Sequence, residues 1–280
     1  AMRQLRDSQR GLILRHFEAA GASPLYLRTA FEIARSWRGW EVKAGQHVLA
    51  ADTTGLIAQF ISDLSKEHHH EPELVTRTLG YLAAAKDGLS AKEINEVLSH
   101  DASVMAAISI EQHGHHTDKL PPSVWVRLYR ALSPFLIEKR IDEQPLLQFF
   151  HRQLADIARE RHYWPARSAL HGALADYFDA DIGTFGKGAV ASGRTTYARR
   201  SLSELPYQLF HAERRVRLDQ ILMAPDWMQA KLSATGPRPL IDDYRYARTH
   251  AQRLTGQTLE LTAGVLARDE RQLVPQILGR

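Results

Sequence analysis

Residues 122–150 read PSVWVRLYRALSPFLIEKRIDEQPLLQFF, and within this stretch the apolar period changes. Pro122-Ser123 opens a segment whose Val124, Trp125, Leu128, Tyr129 and Leu132 fall on one side, the spacing of an amphipathic helix. Beyond it, Phe135-Leu136-Ile137-Glu138-Lys139, a polar turn at 140–144, and Leu146-Leu147-Gln148-Phe149-Phe150 predict a β-hairpin. Pro145 stands at the mouth of the second strand, where an edge tolerates a residue without an N–H. Upstream, Ser90-Ala91-Lys92-Glu93 is a capping-box pattern in which hydroxyl and carboxylate satisfy free backbone donors reciprocally. It starts a short helix to Leu98, and another runs through Met105 to Ile110. Helices followed by a two-strand hairpin is the element order of a winged helix-turn-helix.

Working outward, nearly everything else reads as helix, so the expected class is mainly α. Leu12, Ile13, Phe17 and Ala20 share a face over 8–20, and Gly21 stops that helix. Ser23-Pro24 opens the next one, with Ser as cap and Pro in the first turn, where its missing N–H costs nothing. Its expected buried stripe is Leu27, Ala30, Phe31, Ala34 and Trp37. Helices are expected over 54–65, 72–85, 152–161 and 166–179, then 201–212, 216–223, 225–234, 239–253 and 259–267. The stretch 183–193 is glycine-rich and poor in large apolar residues, the composition of a flexible connector. The expected domains are a helical lid subdomain (1–87), a winged-helix domain (88–182), a Gly-rich linker (183–198) and a helical arm (199–280).

Composition narrows the function classes. With 280 residues, 44% of them hydrophobic and 24% charged, the chain has globular proportions and length for about two domains. It has no cysteine, which removes disulfides, thiolate zinc sites and cysteine nucleophiles together. Lys and Arg exceed Asp and Glu by only 36 to 32, a net +4 that permits nucleic-acid binding without predicting it. No apolar run approaches the roughly 18 residues a membrane span needs, so the expectation is a soluble, cytoplasmic protein with no membrane partner. Ala1-Met2 at one end and Leu278-Gly279-Arg280 at the other read as those of an excised piece.

Several catalytic patterns begin and fail at a specific position. Gly186-Lys187 would close a phosphate loop, but Asp181 holds the first glycine position and Gly188 replaces the magnesium-binding Ser/Thr. His70-Glu71 starts a zinc-protease pattern that Leu74 ends, and Gly21-x-Ser23 starts a nucleophile elbow that Leu25 ends. The histidines 68–70 and His113, His115 and His116 read as a helix end and a loop tip. His100-Asp101 is a lone dipeptide. No catalytic residue and no metal site is expected. Two basic clusters, Arg194 with Arg199 and Arg200, and Arg214, Arg215 and Arg217, leave DNA binding as an alternative function, against which the largely apolar helix at 124–132 offers only Arg127 and Arg130 to read bases. A helical protein-interaction scaffold is a second alternative.

Gly21-Ala22-Ser23-Pro24-Leu25-Tyr26-Leu27 resembles the motif opening the lid helix of NACHT-type STAND regulatory NTPases. Gly88-Leu89-Ser90-Ala91-Lys92-Glu93-Ile94 resembles the start of their winged helix, and 120–125 and 147–152 its later segments. Leu170-His171, Asp176-Tyr177-Phe178 and Glu204-Leu205-Pro206-Tyr207-Gln208-Leu209 are similar to the family's segments beyond the winged helix, and 266–280 to the approach to a WD-repeat propeller. The resemblance covers nearly the whole chain. It implies a non-catalytic regulatory module that clamps ADP in a closed state and couples a C-terminal sensor to an N-terminal effector. A proline before the lid helix then packs on adenine and a winged-helix histidine contacts the β-phosphate; the matching positions are Pro24 and His151. The family pattern is Gly-x-Pro, and Ala22 stands at its glycine position. ADP or ATP is expected only together with an upstream nucleotide-binding domain, none with these residues alone, because no Walker A or Walker B pattern occurs here. The implied partners are that domain and its effector, a downstream propeller, and further copies of the chain on activation.

Overall fold

The amphipathic spacing near the start of the chain is realised as α1 (Asp7–Ala19), which buries Gln9 and Ile13, and α2 (Pro24–Ala34). In this computed structural model the described residues are 5–35, 37, 48–66, 70–111, 119–142, 144–182, 189–191, 194–196 and 199–279. The inner face of α2 is Leu25, Tyr26, Thr29, Ala30, Ile33 and Ala34. This corrects the expected stripe: Leu27 and Phe31 are 37% and 47% exposed. The helix has apolar residues on two faces, and Tyr26 decides between them, because its hydroxyl donates to the Ala50 carbonyl at 2.6 Å from a fully buried position.

Asp52 accepts the Gly55 N–H at 2.8 Å and so starts α3 (Thr53–Lys66), which buries Leu56, Ile57, Phe60, Ile61 and Leu64. After α4 (Pro72–Ala84) the capping box forms as its spacing requires. The Glu93 N–H donates to Ser90 Oγ (3.1 Å) and the Ser90 N–H to the Glu93 carboxylate (2.7 Å), opening α5 (Ala91–His100). Then come α6 (Ala102–Glu111) and α7 (Pro122–Leu132), which turns Trp125, Leu128 and Leu132 inward. The hairpin is β1 (Leu136–Ile141) and β2 (Gln144–Phe149). Leu89 and Leu147 exchange backbone bonds of 3.2 and 2.8 Å, so the residue before the N-cap of α5 pairs with β2. Phe60 and Phe135 pack ring to ring at 4.3 Å. α8 (Arg152–Ala158) runs into a π-helical turn at Arg159–Tyr163 and a 3-10 turn at Trp164–Ala166. The fold is mainly helical with a small wing, a winged-helix arrangement.

Two compact units are distinguished: Ala1–Ala83, Leu89–Lys139 and Pro145–Pro165 form the first, and Ala84–Gly88, Arg140–Gln144 and Ala166–Arg280 the second. The second contains α9 (Arg167–Ile182), β3 (Ala189–Ala191) antiparallel to β4 (Arg194–Thr196), and α10 (Arg199–His211) along α9. It continues with α11 (Arg215–Leu222), α12 (Pro225–Thr235), α13 (Pro237–Asp243), α14 (His250–Leu266) and α15 (Leu273–Leu278). Met228, Leu232, Leu240, Leu259, Leu266 and Leu273 form its outer core. The single helix expected over 239–253 is corrected: the chain leaves α13 at Asp243, makes a 3-10 turn at Tyr244–Tyr246, and restarts at Thr249. The restart has its own capping box, with Thr249 Oγ1 accepting from Gln252 N–H (3.1 Å) and Gln252 Oε1 from Thr249 N–H (3.0 Å).

Buried polar groups of the second unit are matched to particular backbone groups. Glu204, fully buried, accepts from the N–H groups of Lys86 (3.3 Å) and Asp87 (3.2 Å), from Arg200 (2.7 Å) and from Gln208 Nε2 (2.8 Å). Gln208 Nε2 also donates to the Ala84 carbonyl at 3.3 Å. The Glu204–Leu209 stretch therefore holds the strand of chain at Ala84–Gly88 in place.

Candidate functional site

The surface around Pro24 is built by an unusual reversal. Gly21 (φ +76°) and Ala22 (φ +55°) both lie in the left-handed region, turning the chain out of α1 through bonds from Gly21 N–H to Glu18 O (3.1 Å) and Ala22 N–H to Phe17 O (2.9 Å). Ser23 then caps α2 by accepting from the Tyr26 N–H, and Pro24 takes the first helical position. Ala22 has the conformation for which glycine is the ordinary choice, at the position where the family pattern has glycine. Pro24 is exposed and lines an open cleft of about 580 Å³ together with Leu14, Leu27, Phe31, Arg10 and Arg28. The two side chains that leave the core at α2 are thus walls of this cleft.

His151 is half-buried at the N-cap of α8, and its Nδ1 accepts the Gln153 N–H at 3.2 Å. A neutral imidazole that accepts at Nδ1 carries its proton on Nε2, so the other ring nitrogen is a donor. Arg28, one turn beyond Pro24, lies with its guanidinium carbon 4.7 Å from the centre of the Phe150 ring, and Phe150 precedes His151. Arg28 and Phe150 are thus in contact within one unit, the first a turn beyond Pro24 and the second next to His151 in the chain. Sequence reasoning did not single out Arg28; its only trace is the four-residue step from Pro24, which places both on one helix face.

The remaining sequence candidates have structural duties. Ser23 is a helix cap; His100 Nδ1 lies 2.7 Å from the Glu96 carbonyl. Asp101 accepts from the Ser103 N–H (3.0 Å) and the Tyr81 hydroxyl (2.6 Å), capping α6. His70 is buried, while His68, His69, His113, His115, His116 and the Gly183–Gly188 stretch lie outside the described residues. Among the described residues no group of three or more His, Asp or Glu is placed to hold a metal. The basic clusters are largely neutralised: Arg214 pairs with Asp176, Arg217 with Asp179 (2.7 Å), Arg199 with Asp142 (2.8 Å) and Arg200 with Glu204 (2.7 Å).

The family described as the NWD1-like, winged helix-turn-helix domain matches residues 53–168. Human NACHT domain- and WD repeat-containing protein 1 is 31% identical over 255 residues, covering 81% of this chain and 16% of the relative. Its mouse counterpart is 30% identical over 272 residues, 89% of this chain and 17% of the relative. Human NACHT and WD repeat domain-containing protein 2 is 31% identical over 157 residues, 55% of this chain and 9% of that protein. The chain thus spans about a sixth of the length of the first two relatives. No solved structure gives a significant match. Residues 53–168, with their capped α5, inward-facing α7 and hairpin, are an NWD1-like winged helix-turn-helix domain, and the chain is a NACHT-associated winged-helix region.

Proposed function

We propose that these residues are the regulatory half of a STAND-type switch, closing over ADP held by an upstream nucleotide-binding domain and relaying a C-terminal sensor to an N-terminal effector. The observation that carries this reading is the contact of Arg28, one turn past Pro24 in an open apolar cleft, with Phe150, the residue before His151. The residues suit a nucleotide: Pro24, Leu27 and Phe31 offer apolar faces for a purine, and the Nε2–H of His151 is a donor for a phosphate oxygen. The names of the relatives supply the neighbours, a NACHT domain and WD repeats. Hydrolysis then belongs to the upstream domain. Switching is a population shift, nucleotide contacts favouring the closed form and the sensor's ligand the open one.

In a longer chain that joins a NACHT domain ahead of these residues, Pro24→Ala and His151→Ala are expected to release bound ADP faster than the wild type. Single-turnover release of a fluorescent ADP analogue measures this. Release at the wild-type rate in both variants refutes the reading.

A further inference from the structure

We propose that Arg28 is the phosphate-facing cation of this site, the side chain by which it distinguishes a nucleoside diphosphate from a nucleoside; the inference rests on the nucleotide reading above. Arg28 is exposed on α2, one helical turn past Pro24, and it borders the cleft whose walls are Leu14, Leu27 and Phe31. Its guanidinium carbon lies over the Phe150 ring, 4.7 Å from the centroid. The ring offers the guanidinium no oxygen acceptor, so this contact leaves its charge-assisted pairing with an anion such as phosphate unspent. Among the described residues no carboxylate is paired with it, unlike Arg35, Arg214 and Arg217, whose charges are met by Glu32, Asp176 and Asp179. A cation with no carboxylate partner among the described residues thus lies over an aromatic ring and lines an apolar cleft. Phe150 adjoins His151 in the chain, and His151, accepting the Gln153 N–H at Nδ1, has Nε2 as its remaining hydrogen-bonding atom. Pro24 and Arg28 share one face of α2 and line the cleft, an apolar surface beside a cation, the pairing that a ligand with a base and phosphates would use.

The test measures equilibrium binding of ADP and of adenosine by calorimetry in the longer chain with its NACHT domain. Arg28→Gln and Arg28→Met are expected to weaken ADP roughly 10- to 100-fold, the worth of a charge-assisted bond, and to leave adenosine unchanged. Arg28→Lys is expected to recover part of the loss, since it keeps the charge and loses the fork. Because the side chain is exposed, thermal melting of these variants is expected to match the wild type. Equal weakening of ADP and adenosine, or no change in either, overturns the assignment. Pro24→Ala and His151→Ala are carried in parallel. If these weaken ADP while both neutral Arg28 variants bind normally, Arg28 alone is misassigned; if they too bind normally, the nucleotide reading itself fails.

Discussion

Ala22 holds φ at +55°, a backbone conformation that costs an L-residue with a Cβ about 1–2 kcal/mol. Glycine avoids that cost but loses more entropy on folding, roughly 0.5–1 kcal/mol. Ala22→Gly is therefore expected to stabilise the chain by about 0.5–1 kcal/mol, seen as a higher urea midpoint at unchanged slope. An unchanged or lower midpoint means that the turn between α1 and α2 relaxes around the methyl group. The same residue shows what a sequence does and does not display. Ser23-Pro24 announced the helix start by chemistry that is wholly local. The left-handed turn before it was visible only as a departure from the family's glycine, since alanine by itself gives no sign of positive φ.

At the scale of an element, α10 contains Pro206, which has no N–H for the carbonyl four residues earlier. That carbonyl belongs to Leu202, and Lys231 Nζ from α12 donates to it at 2.8 Å. Lys231 is buried and also pairs with Asp243 at 2.6 Å. Burial pushes the Lys231 ammonium down from its ordinary range and the Asp243 carboxyl up, and their mutual attraction opposes both shifts. The ammonium thus answers a proline on one helix and a carboxylate at the end of another. Lys231→Met leaves both acceptors without it, and the expected loss is about 3–5 kcal/mol, read from chemical denaturation. Combining it with Asp243→Leu removes the stranded carboxylate and is expected to recover most of that loss; a double variant as unstable as the single one contradicts the pairing argument. Helix α14 carries a second lesson. Thr249 and Gln252 form a capping box that a spacing search could have found, yet the apolar pattern running through 239–253 reads as one helix, because periodicity alone does not register a short break.

For the whole molecule, the response to acid follows from His171, fully buried against α10. Its Nδ1 lies 2.6 Å from Gln208 Oε1, whose amide nitrogen donates to Glu204 and to the Ala84 carbonyl. The ring stacks on His211 at 4.9 Å, Arg167 lies 3.1 Å from His211 Nδ1, and Tyr207 closes the cluster edge-on. Burial, with the cations of Arg167 and His211 alongside, holds His171 down to about 4 against the usual 6.5, although the Gln208 bond acts the other way. The unfolded chain therefore takes up a proton below pH 6.5 that the folded chain refuses until about pH 4. Stability is full above pH 6.5 and falls through that window, by up to about 3 kcal/mol from this residue. His211 and His162, also lowered by burial, act in the same direction. Urea unfolding at pH 7 and pH 4.5 measures the loss, and His171→Phe is expected to flatten it; an equal loss in that variant assigns the acid sensitivity elsewhere. The sequence by itself determined the helical class, the order of helices and wing, and the starts of α2 and α5, because caps, prolines and apolar periods act between residues a few positions apart. Only the tertiary structure decided which apolar face of α2 is buried, that Arg28 lies over Phe150, and that Lys231 serves Leu202. Those pairings join residues far apart in the chain, and a contact of that kind leaves no period or spacing in the sequence from which it could be read.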